Sequence, residues 1–118
     1  PVINKDGHYV GVPAVIDKDR LSALLAIEMK VNALIISTAI DAVRTGFGTP
    51  SEQTHDRMTV EQAKNYLAND EFPAGSMGPK VASAIKVVEN LDEVRSIICQ
   101  PGDAVKALRG DSGTNFVK

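Results

Sequence analysis

The sequence carries few of the groups that announce chemistry. Cys99 is the one cysteine in 118 residues, so no internal disulfide can form and the chain suits a reducing compartment. It ends the strand-like run Ser96-Ile97-Ile98 and reads as a small buried hydrophobe. The two histidines, His8 and His55, lie in polar turns and read as solvated loop residues. Neither has metal-ligand spacing around it, which argues against a zinc centre. Ser76 has no nearby histidine to act as a base, which leaves little case for a nucleophilic serine. There is no G-x-x-x-x-G-K-[ST] loop, and no G-x-G-x-x-G opens a helix. No apolar run approaches membrane-spanning length, and no signal-peptide pattern is present. Basic excess is missing too. Lys and Arg number 13 against 15 Asp and Glu and are scattered along the chain, which excludes a general nucleic-acid binder. No internal repeat or low-complexity segment occurs.

What is present reads as one α/β domain. Val2-Ile3 and Tyr9–Val12 flank Asn4-Lys-Asp-Gly7, whose Asp-Gly signals a hairpin. The run from Leu21 to Lys30 is good helix sequence, apolar nearly all round, and predicts a well-buried helix capped by Asp17 or Asp19. Ala33–Ser37 and Arg95–Cys99 are short continuous apolar runs, the mark of strands covered on both faces. A polar loop is expected from about Thr45 to Asp56. Thr59-Val-Glu-Gln62 matches a capping box and opens a helix to about Asn69. A short helix over Pro101–Leu108, a turn at Gly110–Thr114 and a last strand at Asn115–Val117 complete the chain. Strands alternating with helices imply a mainly parallel sheet, where ligands bind beyond the carboxyl ends of strands. Ser37-Thr38 and Cys99-Gln100 hold those positions.

Residues 72–89, FPAGSMGPKVASAIKVVE, hold the densest signal. Val81, Ala84, Ile85, Val88 and Leu91 form one helical stripe, with Ser83, Lys86 and Glu89 off it. Pro79 fits the first helical position, and Gly75 and Gly78 free the backbone leading in. Such a helix opens with free N–H groups and a positive dipole end, the elements of an anion site. Lys80 in the first turn opposes that dipole, and a bound phosphate would explain it. A solvated lysine at an ordinary loop-to-helix junction fits the same residues. Lys18 sits at another helix start, beside carboxylates at Asp17, Asp19 and, farther on, Asp41. Phosphoryl transfer asks a protein mainly for positioning and positive charge, which two converging lysines tethered by an aspartate supply.

Ala14-Val-Ile-Asp-Lys-Asp19, Ser22–Ala26, and Phe72-Pro-Ala-Gly-Ser-Met-Gly-Pro-Lys80 with Val81 and Ala84-Ile85 resemble carbamate kinases of the amino-acid kinase family. Ala107-Leu-Arg-Gly110 with Gly113-Thr114 resembles their C-terminal end. The resemblance runs in order over the whole chain. It implies a three-layer αβα sandwich around a mainly parallel sheet, plus the small N-terminal hairpin. It implies phosphoryl exchange between ATP and carbamate, giving ADP and carbamoyl phosphate or the reverse, within arginine metabolism in the cytoplasm. Residues 1–118 then correspond to a single ATP-binding lobe, with the glycine-rich phosphate loop, the carbamate lobe and the homodimer surface upstream. On its own this lobe is expected to bind nucleotide weakly and turn over poorly or not at all. By resemblance, Lys80 reaches the terminal phosphate, Lys18 the migrating phosphoryl group, and Asp19 orients the lysines. Ser37, Thr38, Ala39, Ile40, Asp41 and Arg44 line the nucleotide pocket with Gly75, Ser76, Met77, Gly78 and Pro79. Mg²⁺ rides on the nucleotide phosphates with no protein ligand of its own.

Departures from the family pattern cluster near the base and ribose. Thr38-Ala-Ile-Asp41 stands for Thr-Asp-Val-Asp, Arg44 for a tyrosine, Pro13 for a glutamate and Thr49 for a lysine. Arg44 can replace the ring by stacking on a purine. The same changes leave room for a nucleotide-binding or regulatory relative without turnover, or a kinase acting on another small acid.

Overall fold

The computed structural model describes residues 1–118. β1 (Val2–Lys5) and β2 (His8–Gly11) form the expected antiparallel hairpin. Its turn residues Asp6 and Gly7 both take positive φ, 52° and 83°, as a type I′ turn requires. Every residue of both strands is exposed. This projecting arm stretches the molecule to 53 × 30 × 27 Å, with a radius of gyration of 15.6 Å. A compact chain of this length would have about 13.5 Å.

After α1 (Lys18–Glu28) and β3 (Ala33–Ser37) come two short strands, β4 (Val43–Thr45) and β5 (Gln53–His55). β6 (Arg57–Thr59) leads into α2 (Val60–Ala68), then α3 (Met77–Asn90), β7 (Arg95–Cys99), α4 (Ala104–Arg109) and β8 (Thr114–Val117). The main sheet runs β3-β7-β8-β6. β3–β7 and β6–β8 pair in parallel, β7–β8 antiparallel, so the sheet is mixed but mainly parallel. On one face Ile36, Met58, Ile98 and Phe116 pack with Val81, Ala84, Ile85 and Val88 of α3 and Ala63 of α2. On the other, Ile97 and Cys99 pack with Ala107 of α4. Helices therefore cover both faces, which is the αβα arrangement. Cys99 is fully buried, and that burial pushes its thiol pKa up.

The local chemistry explains the element starts. Thr59 and Gln62 exchange side-chain and backbone hydrogen bonds in a complete capping box on α2. Gly113 takes φ 78°, and a Cβ there would lie 2.7 Å from the Ile98 carbonyl oxygen, so only glycine lets β8 close against β7.

Six local expectations are corrected. The segment from Thr45 to Asp56 is no plain loop, because β4 and β5 form an antiparallel hairpin there and β6 follows at once. Strands of three residues are too short to show periodicity. His55 is half-buried rather than solvated, with Nε2 2.8 Å from Thr45 Oγ1 and its ring packed on Tyr66. α3 begins at Met77, so Pro79 is its third residue, still within the first turn. Ser83 is buried, because α3 is covered by α1 as well as by the sheet. α1 buries only Asp19, Ala23 and Ala26, while Leu21, Leu24, Leu25 and Met29 stay 42–72% exposed. It is an outer helix resting on α3 by its small side chains, and β3, as an edge strand, is likewise only half covered.

Candidate functional site

The α1–α3 contact builds the site. Ala23 and Ala26 of α1 meet Val87 of α3, and such small residues let the two helices approach closely. Toward the N-termini, Asp19 lies one turn before Ala23 on α1 and Lys80 two turns before Val87 on α3. Lys80 Nζ donates to Asp19 Oδ2 at 2.9 Å across 61 residues of sequence. Lys18 Nζ lies 3.6 Å from the same oxygen. The two lysines differ sharply, for the Lys80 side chain is 10% exposed and that of Lys18 83%. One ammonium is held in place and the other is free to swing. Two ammonium groups thus share one carboxylate oxygen.

Lys18, Asp19 and Lys80 line an open depression of about 440 Å³, whose other walls are Val15, Ile16, Asp17, Gly75, Ser76 and Pro79. Through Ser76 it adjoins a second pocket of about 230 Å³, bounded by Thr38, Ala39, Ile40, Arg44 and Met77. Phe47, Glu71, Phe72 and Pro73 complete that wall. A charged compartment and a largely apolar one thus share an edge.

The two helix mouths at the charged compartment are unlike. Asp17 Oδ1 accepts the amides of Asp19 and Arg20, both at 2.9 Å, and closes the start of α1. The Arg20 amide bond, with that of Asp19, holds the Asp17 carboxyl below its usual pKa. Ser76, at the start of α3, makes no side-chain cap. The amides of Ser76 and Gly78 are already spent on the Pro73 carbonyl, at 3.1 and 3.0 Å, and Pro79 has none. The amide of Met77 is the donor left over. The expected row of free N–H groups is therefore shorter than the sequence suggests, and the lysines carry the full positive charges there. The glycines part ways as well. A Cβ on Gly78 would press the Pro73 carbonyl oxygen at 3.3 Å, so the fold demands that glycine. At Gly75 a Cβ would meet nothing within 4 Å in the protein, and neither glycine takes positive φ. Gly75 instead keeps the wall of the depression low.

The apolar compartment hangs on the β4–β5 hairpin. Thr114 Oγ1 accepts the Val43 amide at 2.8 Å and donates to the His55 carbonyl at 2.5 Å, pinning both strands to β8. Arg44 donates to Asp41 Oδ1 at 2.9 Å and Glu52 Oε1 at 2.8 Å. The bond from Arg44 holds Asp41 below the usual carboxylate range; for Glu52 the Gly48 amide does most, then Arg44. Arg44 is raised in turn.

Of the candidates read from sequence, Lys18, Asp19, Lys80, Gly75, Ser76 and Pro79 come together on the charged side. Thr38, Ala39, Ile40, Arg44 and Met77 come together on the apolar side, with Ser76 shared. Ser37, Asp41 and Gly78 line neither compartment; Asp41 holds Arg44, and Gly78 packs beneath the helix mouth. Phe47, Glu71, Phe72 and Pro73 were not foreseen as site residues. The available sign for Phe47 was an aromatic between two glycines in a polar segment. No three His, Cys, Asp or Glu side chains are grouped to hold a metal ion. No helix is long and apolar enough to cross a membrane.

A sequence model of the amino acid kinase family matches residues 1–100. The carbamate kinase of Staphylococcus haemolyticus is 40% identical over 118 residues, which is all of this chain and 38% of that protein. The carbamate kinase of Thermococcus kodakarensis is 41% identical, again over all of this chain and 37% of its own. Among solved structures, carbamate kinase from Giardia lamblia bound to AMP-PNP superimposes with a TM-score of 0.95 at 33% identity. That match covers all of this chain and 37% of the Giardia chain. The chain thus spans less than two-fifths of the relatives it matches.

Proposed function

The chain belongs to the amino acid kinase family, and from that premise we propose that residues 1–118 are the nucleotide-binding lobe of a carbamate kinase-like phosphotransferase. The longer protein exchanges a phosphoryl group between ATP and carbamate, and the acceptor site lies in a lobe outside these residues. The observation that carries this reading is the shared carboxylate oxygen of Asp19, with Lys80 at 2.9 Å and Lys18 at 3.6 Å at the edge of an open depression.

The chemistry follows from charge. In phosphoryl transfer, negative charge spreads over the migrating group's oxygens, and the protein stabilises it with fixed cations. Asp19 holds Lys80 in one place before substrate arrives, so little orientation entropy remains to be lost. The Lys80 ammonium keeps hydrogens to donate beyond its bond to Asp19. Lys18, exposed and loosely paired, follows the group as it moves. Apolar walls next door take the base, and low Gly75 lets the phosphate chain pass. Mg²⁺ would be carried by the nucleotide's own phosphates. It supplies further neutralisation there, and the lysines are the charge that this chain contributes itself.

The test is ATP formation from ADP and carbamoyl phosphate by the intact protein. Lys80→Ala is expected to lower the rate by about 100-fold or more, the usual cost of losing one oriented donor. A variant with the normal rate contradicts the role given to Lys80. The Arg44 clamp, foreign to the family pattern, favours a second reading in which nucleotide binds without turnover. Calorimetric binding of ATP by an intact protein that forms no product would select it.

A further inference from the structure

α1 turns two unlike faces to its surroundings. Asp19, Ala23 and Ala26 are buried on the side of α3. Leu21, Leu25 and Met29, spaced by four, form a row along the helix with Leu24 beside them, and these four are 42–72% exposed. A folded surface seldom leaves so many large apolar side chains together in water. Val15 and Ile16, also exposed, lead into the Asp17 cap and form one wall of the charged depression. Apolar side chains thus follow one another from the rim of that depression to the far end of α1. The two ends of the main sheet differ as well. β6 closes one end with three residues, the first of them Arg57, and short charged edges resist pairing. β3 forms the other with five, Ala-Leu-Ile-Ile-Ser, none of them charged or proline. Leu34 of β3 packs against the small residues of α1, so the bare helix face and the unprotected edge belong to one side of the molecule.

We propose that this side seats the acceptor lobe, with the outer face of α1 as its main contact. The inference rests on the function proposed above and deepens it by naming the surface through which the two lobes meet. Two observations choose that occupant. The chain spans less than two-fifths of the relatives it matches, so on that function a body larger than residues 1–118 joins this lobe. The apolar row also begins at the depression where Lys18 and Lys80 gather, and an acceptor must reach those lysines to take the phosphoryl group. One helix then carries the lobe contact on its outside and the Asp19–Lys80 pair on its inside. Seating the lobe there closes the open side of the depression against water.

Methionine oxidation by dilute hydrogen peroxide in the intact protein tests the idea, because the chain carries its own reference. Met58 is fully buried, whereas Met29 is 72% exposed within residues 1–118. With the lobe seated, Met29 is expected to oxidise as slowly as Met58, and both to react quickly once the protein is unfolded. Leu25→Asp, which sets an unpaired charge in the contact, is expected to release Met29 to the reagent. The same variant should lower kcat/KM for carbamoyl phosphate about tenfold or more while ADP affinity, read by calorimetry, stays the same. Fast oxidation of Met29 in a wild-type protein that makes ATP from ADP and carbamoyl phosphate overturns the docking face and leaves the proposed function standing. Protection of Met29 that disappears on dilution to the monomer assigns the face to a second copy and overturns the proposal as well. A folded wild type that forms no ATP removes the acceptor lobe itself, and the proposal falls with the function.

Discussion

The two compartments of the cleft are built by opposite means. The charged one is assembled by the core. α1 and α3 approach through alanines, and that contact brings Asp19 and Lys80 together with both side chains about nine-tenths buried. The apolar one is assembled at the surface by three-residue strands, an arginine clamp and the exposed ring of Phe47. The first resists change because moving it means moving two helices. The second varies cheaply, which fits the placing of the family departures at Thr38–Arg44 while Lys18, Asp19 and Lys80 keep the pattern. On the reading proposed above, the phosphate-facing lysines are part of the fold, whereas the wall that would meet the rest of the ligand is hung on it.

The sharpest way to break this contrast is at Lys80. Lys80→Ala should lose activity about 100-fold or more and also destabilise the protein by about 3 kcal/mol, because it strips a buried carboxylate of its closest partner. Lys18→Ala separates the two effects. Its side chain is 83% exposed, so the expected result is a large fall in kcat with an unchanged denaturation midpoint. If both substitutions cost only activity, Asp19–Lys80 is not the structural element described here.

Gly75 offers a milder test. Gly75→Val should weaken nucleotide binding about tenfold, the scale of one obstructed contact, and leave the thermal midpoint where it was, since nothing in the protein crowds that position. A matching loss of stability would mean that the backbone, not the ligand, requires the glycine. Thr59→Ala makes the opposite cut. It removes the capping box of α2, away from both compartments, and should cost about 1 kcal/mol of stability with nucleotide affinity intact.

The smallest effect concerns acid. Asp41 and Glu52 have folded-state pKa values below their usual ones, so their bonds stabilise the folded protein fully at neutral pH. That contribution disappears as pH falls below the ordinary carboxylate range and through the lowered folded values. The difference in denaturation midpoint between wild type and Arg44→Met should therefore shrink on acidification. A constant difference would show that the clamp is worth nothing in solution.

Much of the charged compartment was legible in the sequence, because its parts are local. Asp17 caps a helix that any reader would draw, and Gly-Ser-Met-Gly-Pro-Lys80 starts another. That Asp19 and Lys80 meet across 61 residues was expected only through the family resemblance, because no local pattern fixes geometry between helices. The apolar compartment was hardly legible. Strands of three residues show no period, and the threonine that holds them, Thr114, is 71 residues from Val43 and 59 from His55. The leucines of α1 misled for a different reason: apolar composition says that a helix wants cover, not that cover is there.

The central claim is that Asp19 gathers two ammonium groups for one phosphate chain. A crystal structure of the intact protein with a non-hydrolysable ATP analogue tests it most directly. The expected result places the terminal phosphate oxygens within hydrogen-bonding reach of Lys80 Nζ, about 3 Å, with Lys18 drawn in from solvent to the same group. Phosphates bound elsewhere, with Lys80 still spent wholly on Asp19, would contradict it.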